Sequence, residues 1–302
     1  MKRKVTIVGD GNVGASIAYT FLLRDLVEEV VLIDCNVKKA EADSIDMRDA
    51  GFFLGSTTTV RAGDENDYKD SDFIIITASG KMNPNCHDRL DMLKPTTKIL
   101  SSILPKIKDS GFDGYLILIS NPVDVMTYYA YKMTGLDRNK VIGTGTHLDT
   151  GRLLLALAEE EKVNARSISG VTMLGEHGSS SVGVFSKAAI GIKPLSIRED
   201  KERKEKLLSK TRSLGFDIVA GKGNTSYGIA GCVFSLVKAI VKDENVLLPV
   251  SHVLEDGKVA MSLPCIVNQN GIDRVVPAEL SKEEQDMLDQ SREMLTSLCQ
   301  AL

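Results

Sequence analysis

The stretch "KVTIVGDGNVGASIA" near the start constrains this chain more than any other. An apolar run ends in Gly9-x-Gly11-x-x-Gly14, and a helix-like pattern opens directly behind it. A second apolar run, "EVVLID", ends in Asp34, about twenty residues beyond Gly14. The glycine spacing alone recurs by chance. Strand, glycine turn, helix and acid-tipped second strand in that order describe a βαβ unit suited to a dinucleotide. Gly9 permits the tight turn, Gly11 lets the main chain approach a pyrophosphate, and Gly14 brings helix against strand. The helix start, with Asn12 and Val13, attracts the anion. Asp34 would receive ribose hydroxyls and repel a 2′-phosphate, which favours NAD over NADP.

The rest of the first half repeats that alternation. Apolar runs "SDFIIITA" (71–78), "GYLILIS" (114–120) and "KVIGTG" (140–145), with a short one at 57–63, alternate with helical patterns at 36–50, 91–109 and 123–134. Continuous Val/Ile/Leu runs indicate strands buried on both faces of a parallel sheet, and βαβ crossovers give a doubly wound, Rossmann-type α/β fold. The second half changes character. Helical patterns at 147–162, 198–221, 225–242 and 281–301 surround strand-like segments at 167–174, 181–185, 245–253, 258–267 and 272–276. The turns "EDGK" and "NQNG" mark antiparallel hairpins. We expect a nucleotide-binding domain over 1–145 and an α+β catalytic domain over 146–302.

Charge narrows the function. Lys+Arg number 37 against 41 Asp+Glu, a formal −4, which argues against nucleic acid as a partner. No apolar run approaches the roughly 20 residues that cross a bilayer, and the first strand begins too early for a secretory leader. The five Cys (35, 86, 232, 265 and 299) are scattered without a CxxC pair, so reduced thiols in a cytoplasmic protein are expected, with no metal site.

A bound dinucleotide needs a proton-handling partner. Of four His, His87 and His252 read as surface or core residues, His147 opens a helix, and His177 sits in "LGEHGSSS" among small residues that permit close approach. The motifs "GDGNVG", Asp34, "ISNPVD" (119–124), "HLDTGR" (147–152), "GEHG" (175–178) and "GNTSYGIA" (223–230) together resemble the lactate/malate dehydrogenase family of NAD-dependent 2-hydroxy-acid dehydrogenases, in the family's order. The resemblance implies that His177 exchanges the substrate proton while Asp149 holds its other ring nitrogen. It implies that Arg152 clamps the substrate carboxylate and that Asn121 orients groups at the carboxyl end of the sheet, touching substrate and cofactor. It also implies a homo-oligomer, dimer or tetramer.

The polar stretch "SGKMNPNCHDRLDM" (79–92) falls where the family carries its mobile active-site loop, and Arg89 matches the arginine that polarises the substrate carbonyl on closure. Malate-selective relatives place an Arg early in this loop. Here Asn83 or Met82, depending on the anchor, holds that position, with Lys81 beside it. Thr225 matches a lactate-type threonine of the same pocket. A lactate-type substrate with an uncharged side chain is therefore expected. The alternatives are a branched-chain (2-hydroxyisocaproate-type) dehydrogenase, a malate dehydrogenase, and a non-catalytic NAD(H) sensor. Relatives activated by sugar phosphate carry an Arg and a His where Leu154 and Gly170 stand here, so no such activation is expected. Ser179 replaces the Asp that usually follows "GEHG", and Gly151 stands where Ala is usual.

Overall fold

The computed structural model describes residues 3–80 and 89–302, with the side chain of Arg89 also outside the description. Lys81, Met82, Asn83, Cys86 and His87 therefore lie outside the described residues.

Six parallel strands form the heart of the first half: β1 (Lys4–Val8), β2 (Glu29–Ile33), β3 (Thr59–Ala62), β4 (Phe73–Ile76), β5 (Tyr115–Leu118) and β6 (Val141–Gly143). Their spatial order is β3-β2-β1-β4-β5-β6. The order reverses between β1 and β4, and that is where a doubly wound sheet opens a crevice for a ligand. The strands read as unbroken apolar runs because both faces are covered. Val5, Ile7, Phe73, Ile75 and Ile117 pack on one side, and Val8, Ile74, Ile76, Leu116 and Leu118 on the other. Helices α1 (Asn12–Arg24) and α2 (Val37–Leu54) cover the first side, α3 (Leu93–Asp109) and α4 (Val123–Thr134) the second.

The second half contains α5 (His147–Glu161), α6 (Lys201–Lys222), α7 (Tyr227–Val241) and α8 (Lys282–Gln300). Its strands are short at first: β7 (Ile168–Ser169), β8 (Thr172–Leu174), β9 (Val182–Val184), β10 (Ala189–Ile190) and β11 (Lys193–Pro194). They pair as a three-stranded sheet, β11-β10-β7, and a ribbon of β8 with β9. The long meander β12 (Val246–Val253), β13 (Ala260–Asn268) and β14 (Gly271–Val275) does not make a sheet of its own. Ser251 pairs antiparallel with Gly143, so the meander extends the parallel sheet into one of nine strands. A third apolar cluster, with Leu153, Leu157, Met173, Phe185 and Ile197, sits under α5 and α6. The fold is thus a Rossmann-type α/β sheet with a C-terminal α+β portion.

Apart from shifts of a few residues at element ends, three features differ from the sequence reading. Helix α2 continues past residue 50 to Leu54, where Gly55 in a left-handed conformation (φ 63°) stops it. The single strand expected over 167–174 is two, because Gly170 turns the chain at φ 68°. The pair β10 and β11 was not expected, since two-residue strands carry no period of their own.

Candidate active site

The glycine loop leaves β1 and enters α1 at the crevice. Gly9 has φ 106°, and a Cβ there would lie 2.6 Å from the Ala78 main-chain nitrogen, so no other residue fits. A Cβ at Gly14 would collide with the Gly9 carbonyl oxygen. At Gly11 a Cβ would meet nothing, so the loop faces open space. Gly11 caps α1 without a side-chain hydrogen bond, which leaves the first amides of the helix, at Asn12 and Val13, directed at that space. The cradle has the shape and the polarity that a pyrophosphate requires.

Asp34 stands just beyond β2. Burial alone would raise its carboxyl; the amides of Asn36 (2.8 Å) and Asp10 (2.7 Å) outweigh it and hold the group below the usual carboxylate range. It is an anion fixed beside the glycine loop by the amides of Asp10 and Asn36. Asp10 was missed, although it sits inside the glycine motif. Its side chain is fully buried, which pushes the carboxyl up to about 6, while Lys39 Nζ, 3.2 Å away, acts the other way. Asn121, beyond β5, has a buried Oδ1 with no hydrogen-bond partner among the described residues, an acceptor awaiting a donor.

The Asp149–His177 pair is assembled from α5 and the loop between β8 and β9. Asp149, in the first turn of α5, is 7% exposed and accepts from His177 Nδ1 at 2.5 Å. With Nδ1 donating to Asp149, Nε2 is the ring nitrogen left to meet another partner. Arg152, three residues on, places Nη1 3.4 Å from the second Asp149 oxygen, so one carboxylate orients both the imidazole and the guanidinium. The helix start favours that carboxylate as an anion. His177 is held from behind as well: its amide donates to Asp124 Oδ2 at 2.7 Å.

Other predicted residues fall nearby. Thr225 lies, half-buried, in the turn between α6 and α7, and both helices pack on α5. Leu154 is half-buried against the third apolar cluster, and a side chain at Gly170 would collide with the Lys187 carbonyl. The backbone of Arg89 opens a short 3-10 turn leading into α3. His147 bonds Ser235 through Nε2 at 2.7 Å, and burial pushes it down to about 4. His252 is a core residue beside Cys265, also pushed down to about 4 by burial. Two further residues escaped the sequence reading. Asp124 ends the quoted "NPVD" motif but had been given no role. Arg212 of α6 holds Ser181, four residues after His177, through Nε at 3.1 Å; burial lowers its guanidinium and Asp149 acts against that.

Comparisons with known proteins identify the family of the whole chain. Residues 3–143 match the lactate/malate dehydrogenase NAD binding domain, and residues 146–301 match the lactate/malate dehydrogenase alpha/beta C-terminal domain. The chain is 37% identical to L-lactate dehydrogenase 2 of Lactococcus lactis, over 99% of this chain and 98% of that protein. It is also 37% identical to L-lactate dehydrogenase 1 of Bifidobacterium longum, over 100% and 98%. Among solved structures it is similar to the minor L-lactate dehydrogenase of Enterococcus mundtii in its ligands-bound form, with TM-score 0.93, 34% identity and coverage of 100% and 98%. It is similar as well to a lactate dehydrogenase from a deep-sea metagenome library, with TM-score 0.92, 33% identity and coverage of 99% of each chain.

Proposed function

The chain belongs to the lactate/malate dehydrogenase family, and from that membership and the Asp149–His177 pair we propose that it is an L-lactate dehydrogenase, interconverting L-lactate and pyruvate. The family makes it an NAD-dependent oxidoreductase of 2-hydroxy acids. NAD, when bound, supplies the hydride acceptor for lactate and the hydride donor for pyruvate. The chain's own residues do the rest. His177 Nε2 takes the hydroxyl proton as C2 is oxidised and returns it as the carbonyl is reduced. Asp149 keeps Nδ1 protonated and balances the imidazolium. Arg152 binds the substrate carboxylate through its planar fork, and Arg89 polarises the carbonyl. Asn121 turns its orphaned oxygen to substrate and cofactor. Gly9, Gly11, Asn12, Val13 and Gly14 cradle the pyrophosphate, and Asp34 takes the ribose. The two roles divide at 145/146, between a nucleotide-binding and a catalytic domain.

The observation that carries this reading is the single carboxylate of Asp149 shared by His177 and Arg152. An acid–base group and a carboxylate-binding cation at one point suit a 2-oxo acid. Thr225, and the absence of arginine from 79–88, favour an uncharged side chain on the substrate. NADH oxidation followed with pyruvate, 2-oxoisocaproate and oxaloacetate, and again with NADPH, tests it. Pyruvate with NADH should be fastest, with a hyperbolic curve that fructose 1,6-bisphosphate leaves unchanged. A preference for 2-oxoisocaproate would instead make the enzyme a branched-chain dehydrogenase, and a preference for oxaloacetate would refute the reading of the loop. We also infer a cytoplasmic homo-oligomer, dimer or tetramer. Phe52 and Phe53, at the end of α2, are 81% and 86% exposed, an apolar pair that a second subunit would cover.

A further inference from the structure

We propose that Asp124 is a positioning residue for the reaction: its carboxylate, rooted in the first turn of α4, holds the main chain of His177 so that the imidazole meets Asp149. The proposal rests on the dehydrogenase reading above.

The loop that carries His177 is tied down residue by residue. Gly175 exchanges two main-chain bonds with Ser262 of β13, at 2.9 and 3.0 Å. The Glu176 amide donates to Ser291 of α8 at 3.0 Å. The His177 amide donates to Asp124 of α4 at 2.7 Å. Each of the three consecutive residues is fastened to a different element, and Asp149 of α5 then fixes the ring. Backbone and ring of His177 are thus held by two carboxylates from two helices. A ring fixed only at Nδ1 can still pivot with its main chain, and a displacement near 1 Å at a reacting atom is enough to slow chemistry.

The helix that supplies Asp124 also begins directly after Asn121 and Pro122. The bond to His177 therefore sets the spacing between the proton-transfer group and the polar side chain beyond β5. One short segment, 121–124, serves both sides of the cleft.

The residue is expensive where it stands. Asp124 is 2% exposed, and its Oδ1 has no hydrogen-bond partner among the described residues. The Ser251 hydroxyl lies beside it and favours the charged form, although its Oγ makes no well-formed hydrogen bond among the described residues. Glu176, itself buried, adds like charge, and the Cys299 thiol of α8 lies within its electrostatic reach. Among the described residues the His177 amide is the hydrogen-bond donor placed on the carboxylate, with the Ser251 hydroxyl favouring its charge from nearby. A buried, poorly satisfied group of this kind persists where it holds something in place.

The test compares Asp124→Ala, which removes the acceptor, with Asp124→Asn, which keeps an oxygen for the same amide. We expect D124A to lose about 10-fold or more in kcat for pyruvate reduction. Its Kd for NADH, followed by NADH fluorescence, should change far less than kcat, because the glycine loop and Asp34 lie on other elements and Asn121 alone is shared with this segment. D124N should recover most of the lost kcat. Full kcat in D124A would overturn the proposal. So would equal losses of kcat, KM and NADH binding in both variants, which would mark Asp124 as merely structural. Where D124A does not fold, hydrogen exchange at the His177 amide of the wild-type holoenzyme decides. Slow exchange supports the bond, and exchange at the rate of an open loop overturns it. A wild type that reduces no 2-oxo acid would sink the dehydrogenase reading, while the exchange measurement would still test Asp124.

Discussion

His177 could be picked out because its neighbours are small and its motif is distinctive; Asp124 could not, because its partner is the main chain. A hydrogen bond from a backbone amide 53 positions away leaves no trace in residue type at the far end. The same is true of Asp10, whose buried side chain meets Lys39 only after α2 has packed on the glycine loop. Burial gives Asp124 a testable signature. Burial pushes its carboxyl up to about 6, against the pull of Ser251 and the His177 amide. In the unfolded chain the same group titrates near 3.9. The folded state therefore binds the extra proton between those values, and stability is present below about 3.9 and lost as pH rises through about 6. Asp124→Asn should match the wild type in urea unfolding near pH 4 and exceed it by about 2–3 kcal/mol at pH 7.5. A difference that does not change with pH would contradict the buried charge. His147 and His252, both pushed down to about 4, act in the opposite sense. Their share of the stability is present above about 6.5 and lost as pH falls toward 4.

Elements were more legible than residues. The six parallel strands announced themselves as unbroken Val/Ile/Leu runs, since a strand covered on both faces has no polar side to alternate with. What stayed hidden was pairing at long range. Nothing local in "VLLPVSHV" says that β12 will join the edge of β6, because that contact is made between Ser251 and Gly143, more than a hundred positions apart. Helix α5 shows how a local rule can be broken without visible need. It carries Gly151 between Thr150 and Arg152, where a Cβ would meet nothing within 4 Å. Glycine in a helix interior costs about 1 kcal/mol relative to alanine. Gly151→Ala should therefore raise the unfolding free energy by about 1 kcal/mol, read from the urea midpoint. An unchanged or lowered midpoint would show that α5 needs the freedom of glycine beside Asp149.

At the scale of the whole molecule, one nine-stranded sheet links the glycine loop to the Asp149–His177 pair, the proposed cofactor cradle and proton-transfer group. The glycine loop hangs from β1, Asn121 from β5, and α5 follows β6, so all three reach the cleft from the carboxyl ends of adjacent or near-adjacent strands. The substrate side chain was the least legible part. Met82 and Asn83 lie outside the described residues, and of the three positions proposed for the side-chain pocket Thr225 is the described one. The exposed Phe52 and Phe53 predict a solution mass of two or four times 32.8 kDa by light scattering, and a monomer would contradict the oligomer. The central claim is that His177, oriented by Asp149, moves the proton. The most direct measurement is pyruvate reduction by His177→Gln alongside NADH binding by the same variant. His177→Gln should lose about 100-fold or more in kcat, with the NADH Kd within about two-fold of wild type. A variant that keeps more than a tenth of the wild-type kcat would contradict it.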